Sequence, residues 1–217
     1  MDVGYPDGEH FAVRSLMQAI PDLINDALEI ESADAEAIAH IVDRLYLRVT
    51  GTKTWHCEAS AFGIVYLSKK TIEILWAFVY AHRSVYVRKV EGKMISGDLD
   101  LEDDEELALP REMLSWVRSE EVLRGEGDMP AGFPVPPEAP EAGSIEAWSI
   151  EVTRRALQFH LFHELAHIFF ANTDFPQLID LEAACDAKAI EWITLIPTGD
   201  DLSRRRIHTA ATGALVY

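Results

Sequence analysis

The chain has 217 residues, 48% hydrophobic and 26% charged, a balance that belongs to a folded globular protein and not to a disordered one. A formal net charge of −18 at pH 7 opposes binding to nucleic-acid phosphates or anionic membrane surfaces, and the short basic run Arg204-Arg205-Arg206 is too small to reverse it. The most apolar stretches, ILWAFVYAH and ALQFHLFHELAHIFF, are too short or too interrupted by His and Glu to span a bilayer, so membrane insertion is not expected.

Residues 9–30 carry Phe11, Leu16, Ile20, Leu23, Ile24 and Leu28 at near-helical spacing, and Asp34 can cap a second helix running to about Val49. Between Lys53 and Leu67 the pattern changes. Trp55, Cys57, Ala59 and Ala61 alternate with other residues before the apolar run Ile64-Val65-Tyr66-Leu67, which reads as one or two strands with Gly63 at a bend. The stretch from Ala61 to Leu67 is a candidate edge for an extended peptide to join by strand addition. A helix is expected over about Thr71–His82, then a further strand and turn within SVYVRKVEGKMISG. The acidic run DLDLEDDEE at 98–106 reads as a solvated helix start, and the Pro/Gly-rich residues 125–144 as a flexible surface loop. Ser144 can cap a long helix from Ile145 to Ala171, and another helix begins near Asp174 or Phe175-Pro176 and continues to Ile196, stopped by Pro197. Together these elements predict an α+β fold in one domain over residues 1–217, mainly helical, with a small, mostly antiparallel sheet.

The sequence HELAH at 163–167 sits inside the long helix. With 8 His and 21 Glu in the chain, about 0.03 accidental His-Glu-x-x-His matches are expected, so coincidence is a poor explanation. On a helix His163 and His167 project from one face about one turn apart and their imidazoles can converge on one ion, while Glu164 borders that face. Zinc suits two neutral imidazoles and a carboxylate, and Glu164 would then serve as the general base toward water attacking a carbonyl.

A third ligand must come from elsewhere. The metzincin pattern wants Gly and then His or Asp where this chain has Phe170 and Thr173, so it is ruled out. The gluzincin pattern wants a Glu on a following helix with an Asp four residues later, and Glu182 and Asp186 in LEAACDAKA satisfy it. The intervening 14 residues are enough to end one helix and bring a second alongside, giving a zincin-like two-helix metal site. Glu182 completes the ligand set, and Asp186 can accept the second ring N–H of His163 and fix its tautomer. Ala183, Ala184, Ala187 and Ala189 would let the two helices approach closely. His160 extends the string to HxxHExxH, but three ligands from one straight helix do not surround one ion, so it reads as a supporting or core residue. Cys185 is a softer alternative donor, read more simply as packing, and Tyr66 and His208 are candidates by type alone to hold an oxyanion.

The HELAH helix followed by Glu-x-x-x-Asp on an Ala-rich helix resembles the compact gluzincin metallopeptidases, most closely the Lit-type phage-exclusion peptidases (peptidase U49). The segment GIVYLSKKTIEILWAFVYAH also looks like the one preceding the motif in that group, and the ImmA/IrrE-type peptidases are similar in the same residues. The Lit resemblance implies a cytoplasmic zinc protease acting on a host protein, elongation factor Tu, with His163, His167 and Glu182 as ligands and Glu164 as general base. Cytoplasmic localisation is also expected from the two distant cysteines, Cys57 and Cys185, which form no disulfide framework, and from an N-terminus without a secretory signal. The partner expected is a protein or peptide substrate. The competing reading is a non-catalytic zinc-stabilised regulator or toxin-system protein that acts by binding, for which Glu164 would have no use.

Overall fold

The computed structural model describes residues 2–4, 13–51, 57–60, 62–91 and 105–196. The chain runs β1 (Asp2–Gly4), α1 (Arg14–Gln18), α2 (Ile20–Asn25), a 3₁₀ turn (Asp26–Glu29), α3 (Ala35–Arg44), β2 (Tyr46–Thr50), β3 (Cys57–Ala59), β4 (Ile64–Ser68) and α4 (Lys69–Tyr86). After a π turn (Val87–Glu91) and a 3₁₀ turn (Glu105–Leu107) come α5 (Ala108–Val117), α6 (Glu120–Leu123), α7 (Ile145–Phe169) and α8 (Leu178–Leu195). The class is α+β and mainly helical, as expected.

The sheet differs from expectation. Its order is β1-β2-β4-β3, with β1 and β4 both parallel to β2 and only β3 antiparallel to β4, so it is mixed and not mostly antiparallel. One reason is that residues 46–50, expected to end a helix, form β2 instead. Leu45, Leu47 and Val49 are buried while Tyr46 and Arg48 are exposed, a period of two that a helix cannot satisfy. β4 is therefore an interior strand, and the edge expected within residues 61–67 belongs to β3. Residues 84–91, expected to begin a strand, continue the helix and pass into the π turn, while residues 92–97 and 98–104 lie outside those described.

The helices begin where the sequence places caps. Ser68 accepts the Thr71 N–H at 3.1 Å to start α4, and Ser144 accepts the Ala147 N–H at 3.0 Å to start α7. Asp34 occupies the capping position of α3, yet its side chain makes no cap.

α7 lies at the centre, packed against α8, α4, α2 and β3. Phe162, Leu157, Leu161 and Leu165 join Leu47, Val65, Leu67, Trp76 and Trp192 in one core. Gln158, fully buried, donates to the Leu23 carbonyl at 3.2 Å and to Asp26 at 2.7 Å, which ties the middle of α7 to the end of α2. A second, smaller core lies between α4, α5, α6 and Phe133.

Phe133 belongs to the Pro/Gly-rich stretch, which is anchored and not a free loop. Trp76 donates its indole N–H to the Pro134 carbonyl at 2.7 Å, Ser15 donates to the Pro136 carbonyl at 3.1 Å, and the buried Lys70 ammonium donates to the Gly127 carbonyl. Carbonyls in a segment poor in regular structure need such partners when they are buried. No helix among the described residues is long and apolar enough to cross a membrane.

Candidate metal centre

α7 carries His163, Glu164 and His167 past the inner face of β3, and α8 returns alongside it with Glu182 and Asp186. Three donor atoms converge there. His163 Nε2 lies 3.0 Å from His167 Nε2 and 3.2 Å from Glu182 Oε2, and His167 Nε2 lies 3.5 Å from the same Glu182 oxygen. Among the described residues, His163, His167 and Glu182 form the group that can hold a metal ion.

His163 Nδ1 lies 2.8 Å from Asp186 Oδ1. A carboxylate only accepts, so Nδ1 carries the proton, and Nε2 turns its lone pair toward His167 and Glu182. Three acceptors facing one another at these distances repel unless a cation or proton lies among them, which makes this a site built for positive charge. Burial, and then the neighbouring His163, hold the His167 imidazole below its ordinary pKa and favour the neutral form a ligand needs.

Glu164, which borders that face of α7, is only 7% exposed. Burial pushes its carboxyl up to about 8; the Ala59 backbone N–H bonds it and opposes the rise, while the charges of Glu182 and Glu58 add to it. A cation in the neighbouring group would lower that proton affinity and favour the carboxylate form that accepts a proton. The Ala59 contact had no signal in the sequence beyond the alternation that marks β3.

The remaining candidates separate clearly. His160 is held down to about 4 by burial, then by His163; its Nε2 is buried without a hydrogen-bond partner, and it takes no place in the metal-holding group. Cys185 is fully buried in the core and takes no place in the metal-holding group; burial, then the Glu182, Glu164 and Asp186 charges, push its thiol up to about 12. Val65 and Leu67 turn inward, which puts Tyr66, opposite Glu58, on the other face of the sheet, away from α7. His208 lies outside the described residues. The close approach of α8 uses the buried Cys185 and Ala189; Ala183 and Ala187 are exposed, and only Ala184 is half-buried besides.

No curated protein and no solved structure matches the chain. A family model described as Peptidase U49 matches residues 65–217, which takes in β4 from its second residue and every described helix from α4 onward together with all the converging residues, and the chain belongs to that peptidase family.

Proposed function

We propose that the protein is a zinc-dependent metalloendopeptidase that hydrolyses a peptide bond of a protein substrate, with His163, His167 and Glu182 as ligands and Glu164 as general base. The observation that carries the reading is the donor triangle. Ligands about 2.0–2.1 Å from a tetrahedral zinc stand about 3.3 Å apart, and the three separations here are 3.0, 3.2 and 3.5 Å. Two imidazoles and a carboxylate are the donor set of catalytic zinc, which keeps a further position open.

When bound, zinc supplies a Lewis acid that polarises a carbonyl oxygen and acidifies water. The rest of the chemistry falls to the chain. Asp186 holds the His163 tautomer through the 2.8 Å contact, and α7 and β3 keep the Glu164 carboxyl buried and bonded to the Ala59 N–H. Glu164 takes the proton from the attacking water and delivers it to the nitrogen of the departing amine, so the carbonyl carbon gains an oxygen as the C–N bond breaks. The edge strand β3 beside Glu164 is the natural place for an extended substrate to lie. By its family the substrate is a protein, and by resemblance to the Lit-type members its setting is phage exclusion or a related stress response in the cytoplasm.

Zinc content of the purified wild type, of His163→Ala and of Glu164→Gln tests the reading together with proteolysis. One zinc per chain, lost in His163→Ala and kept in an inactive Glu164→Gln, is the expected result. An active, chelator-indifferent wild type without zinc would overturn it. A Glu164→Gln protein that keeps full biological function would favour a zinc-stabilised binding protein instead.

A further inference from the structure

The segment 170–177 joining α7 to α8 is mostly turn and irregular chain, so the covalent link does not set how far α8 slides or turns against α7. Yet the site depends on it. A rotation of α8 by about 20° would carry a carboxylate some 5 Å from the helix axis through roughly 2 Å, while metal–ligand distances tolerate about 0.2 Å.

The grip on α8 comes from the far N-terminal side. A single oxygen of Asp34, Oδ2, accepts from Lys188 Nζ at 3.0 Å and from Trp192 Nε1 at 3.2 Å. Lys188 and Trp192 are four residues apart, so one atom holds α8 at two points a turn apart and limits both slide and rotation. Asp34 stands at the capping position of α3 but gives its side chain to α8 and not to its own helix.

The junction also bears on α7. Lys188 Nζ lies 5.6 Å above the Phe169 ring, and Trp192 meets Phe169 edge-on at 5.6 Å and Phe162 at 6.3 Å. Phe169 follows His167 by two residues, and Lys188 follows Asp186 by two. Asp34 itself lies outside the residues matched by the family model.

We propose that Asp34 is a positioning residue for the metal centre, which by bridging Lys188 and Trp192 sets the register of α8 and with it the approach of Glu182 and Asp186 to α7. The inference rests on the metal reading above, and its test includes a readout that does not.

The experiment uses the full chain with Asp34→Ala, Asp34→Asn, Trp192→Phe and, as a control, Glu191→Gln, which removes the charge of the other partner of Lys188 at an exposed position. Zinc affinity is measured by chelator competition, and the visible absorption of Co²⁺ in the site reports its geometry. In metal-free protein, the low-field NMR signal of the His163 Nδ1 proton, assigned by its loss in Asp186→Ala, reports the α7–α8 contact directly. Asp34→Ala should weaken zinc by about tenfold or more, alter the cobalt spectrum and abolish the His163 signal. Asp34→Asn, which keeps an acceptor oxygen, should restore most of all three, Trp192→Phe should fall between, and Glu191→Gln should match wild type.

Should Asp34→Ala fail to fold, Trp192→Phe carries the test, because it keeps the packing and removes one of the two hydrogen bonds. Wild-type affinity, cobalt spectrum and His163 signal in Asp34→Ala, or in Trp192→Phe where that variant stands in, would overturn the proposal. If wild type takes up neither zinc nor cobalt, the metal reading fails, and the His163 signal alone decides the role of Asp34.

Discussion

Replacing Glu164 by Gln in the metal-free protein should raise stability at alkaline pH and leave it nearly unchanged in acid. Burial carries the carboxyl from an ordinary value of 4.5 to about 8. Between those values the native state holds a proton that the unfolded chain has released, so raising the pH favours unfolding. The contribution of Glu164 is fully present below pH 4.5 and is lost as pH rises through about 8. At about 1.4 kcal/mol per tenfold change in proton affinity, the interval comes to at most roughly 5 kcal/mol. Gln keeps the volume and an oxygen for the Ala59 N–H, and has no proton to lose. The assay is urea unfolding of both proteins in a chelator at several pH values from about 5 to about 9, read as the difference between them. The other ionisable groups are common to both proteins and largely cancel in the difference. A difference that stays constant across the range would refute the reasoning, because it would mean that the native environment does not raise the proton affinity of Glu164.

Two stability predictions follow from the scaffold. Lys70→Met leaves the buried Glu73 without the ammonium 3.1 Å away, though Lys69 remains at 3.3 Å, and should cost about 3 kcal/mol in urea unfolding; Lys70→Met with Glu73→Leu should recover most of it. Ser144→Ala removes the cap on the Ala147 N–H and should cost about 1 kcal/mol in thermal or urea unfolding, with the His163, His167 and Glu182 group untouched.

The site was readable because its chemistry is local to two helices. A 3.6-residue period puts His163 and His167 on one face and Glu182 with Asp186 on another, and the gluzincin pattern links the two helices, so the converging group could be named before its geometry was known. The sheet was not readable in the same way. Ile38, Val42, Leu45 and Val49 fit a helical stripe, while Leu45, Leu47 and Val49 fit a strand, and only the burial of Leu47 separates the two. β2 and β4 run parallel, and nothing in the residues of the two strands themselves signals that direction. The partners of the 125–144 stretch, Ser15, Lys70 and Trp76, lie far away in sequence, so the composition that suggested a free loop carried no sign of its anchors.

The same limit explains why nothing in the sequence tied residues 13–44 to the site. The candidate ligands all fall within the matched residues 65–217, yet both helices that carry them are gripped from outside that span. Gln158 of α7 donates to Leu23 and Asp26, and Lys188 and Trp192 of α8 donate to Asp34. Each grip is made of directional, buried or half-buried hydrogen bonds, which fix orientation in a way that apolar packing against α2 and α3 would not. A metal centre needs its donors held to a few tenths of an ångström, and two helices joined by an irregular segment do not supply that by themselves. The motif therefore accounts for which atoms meet, and α2 and α3 account for their meeting at the distances seen.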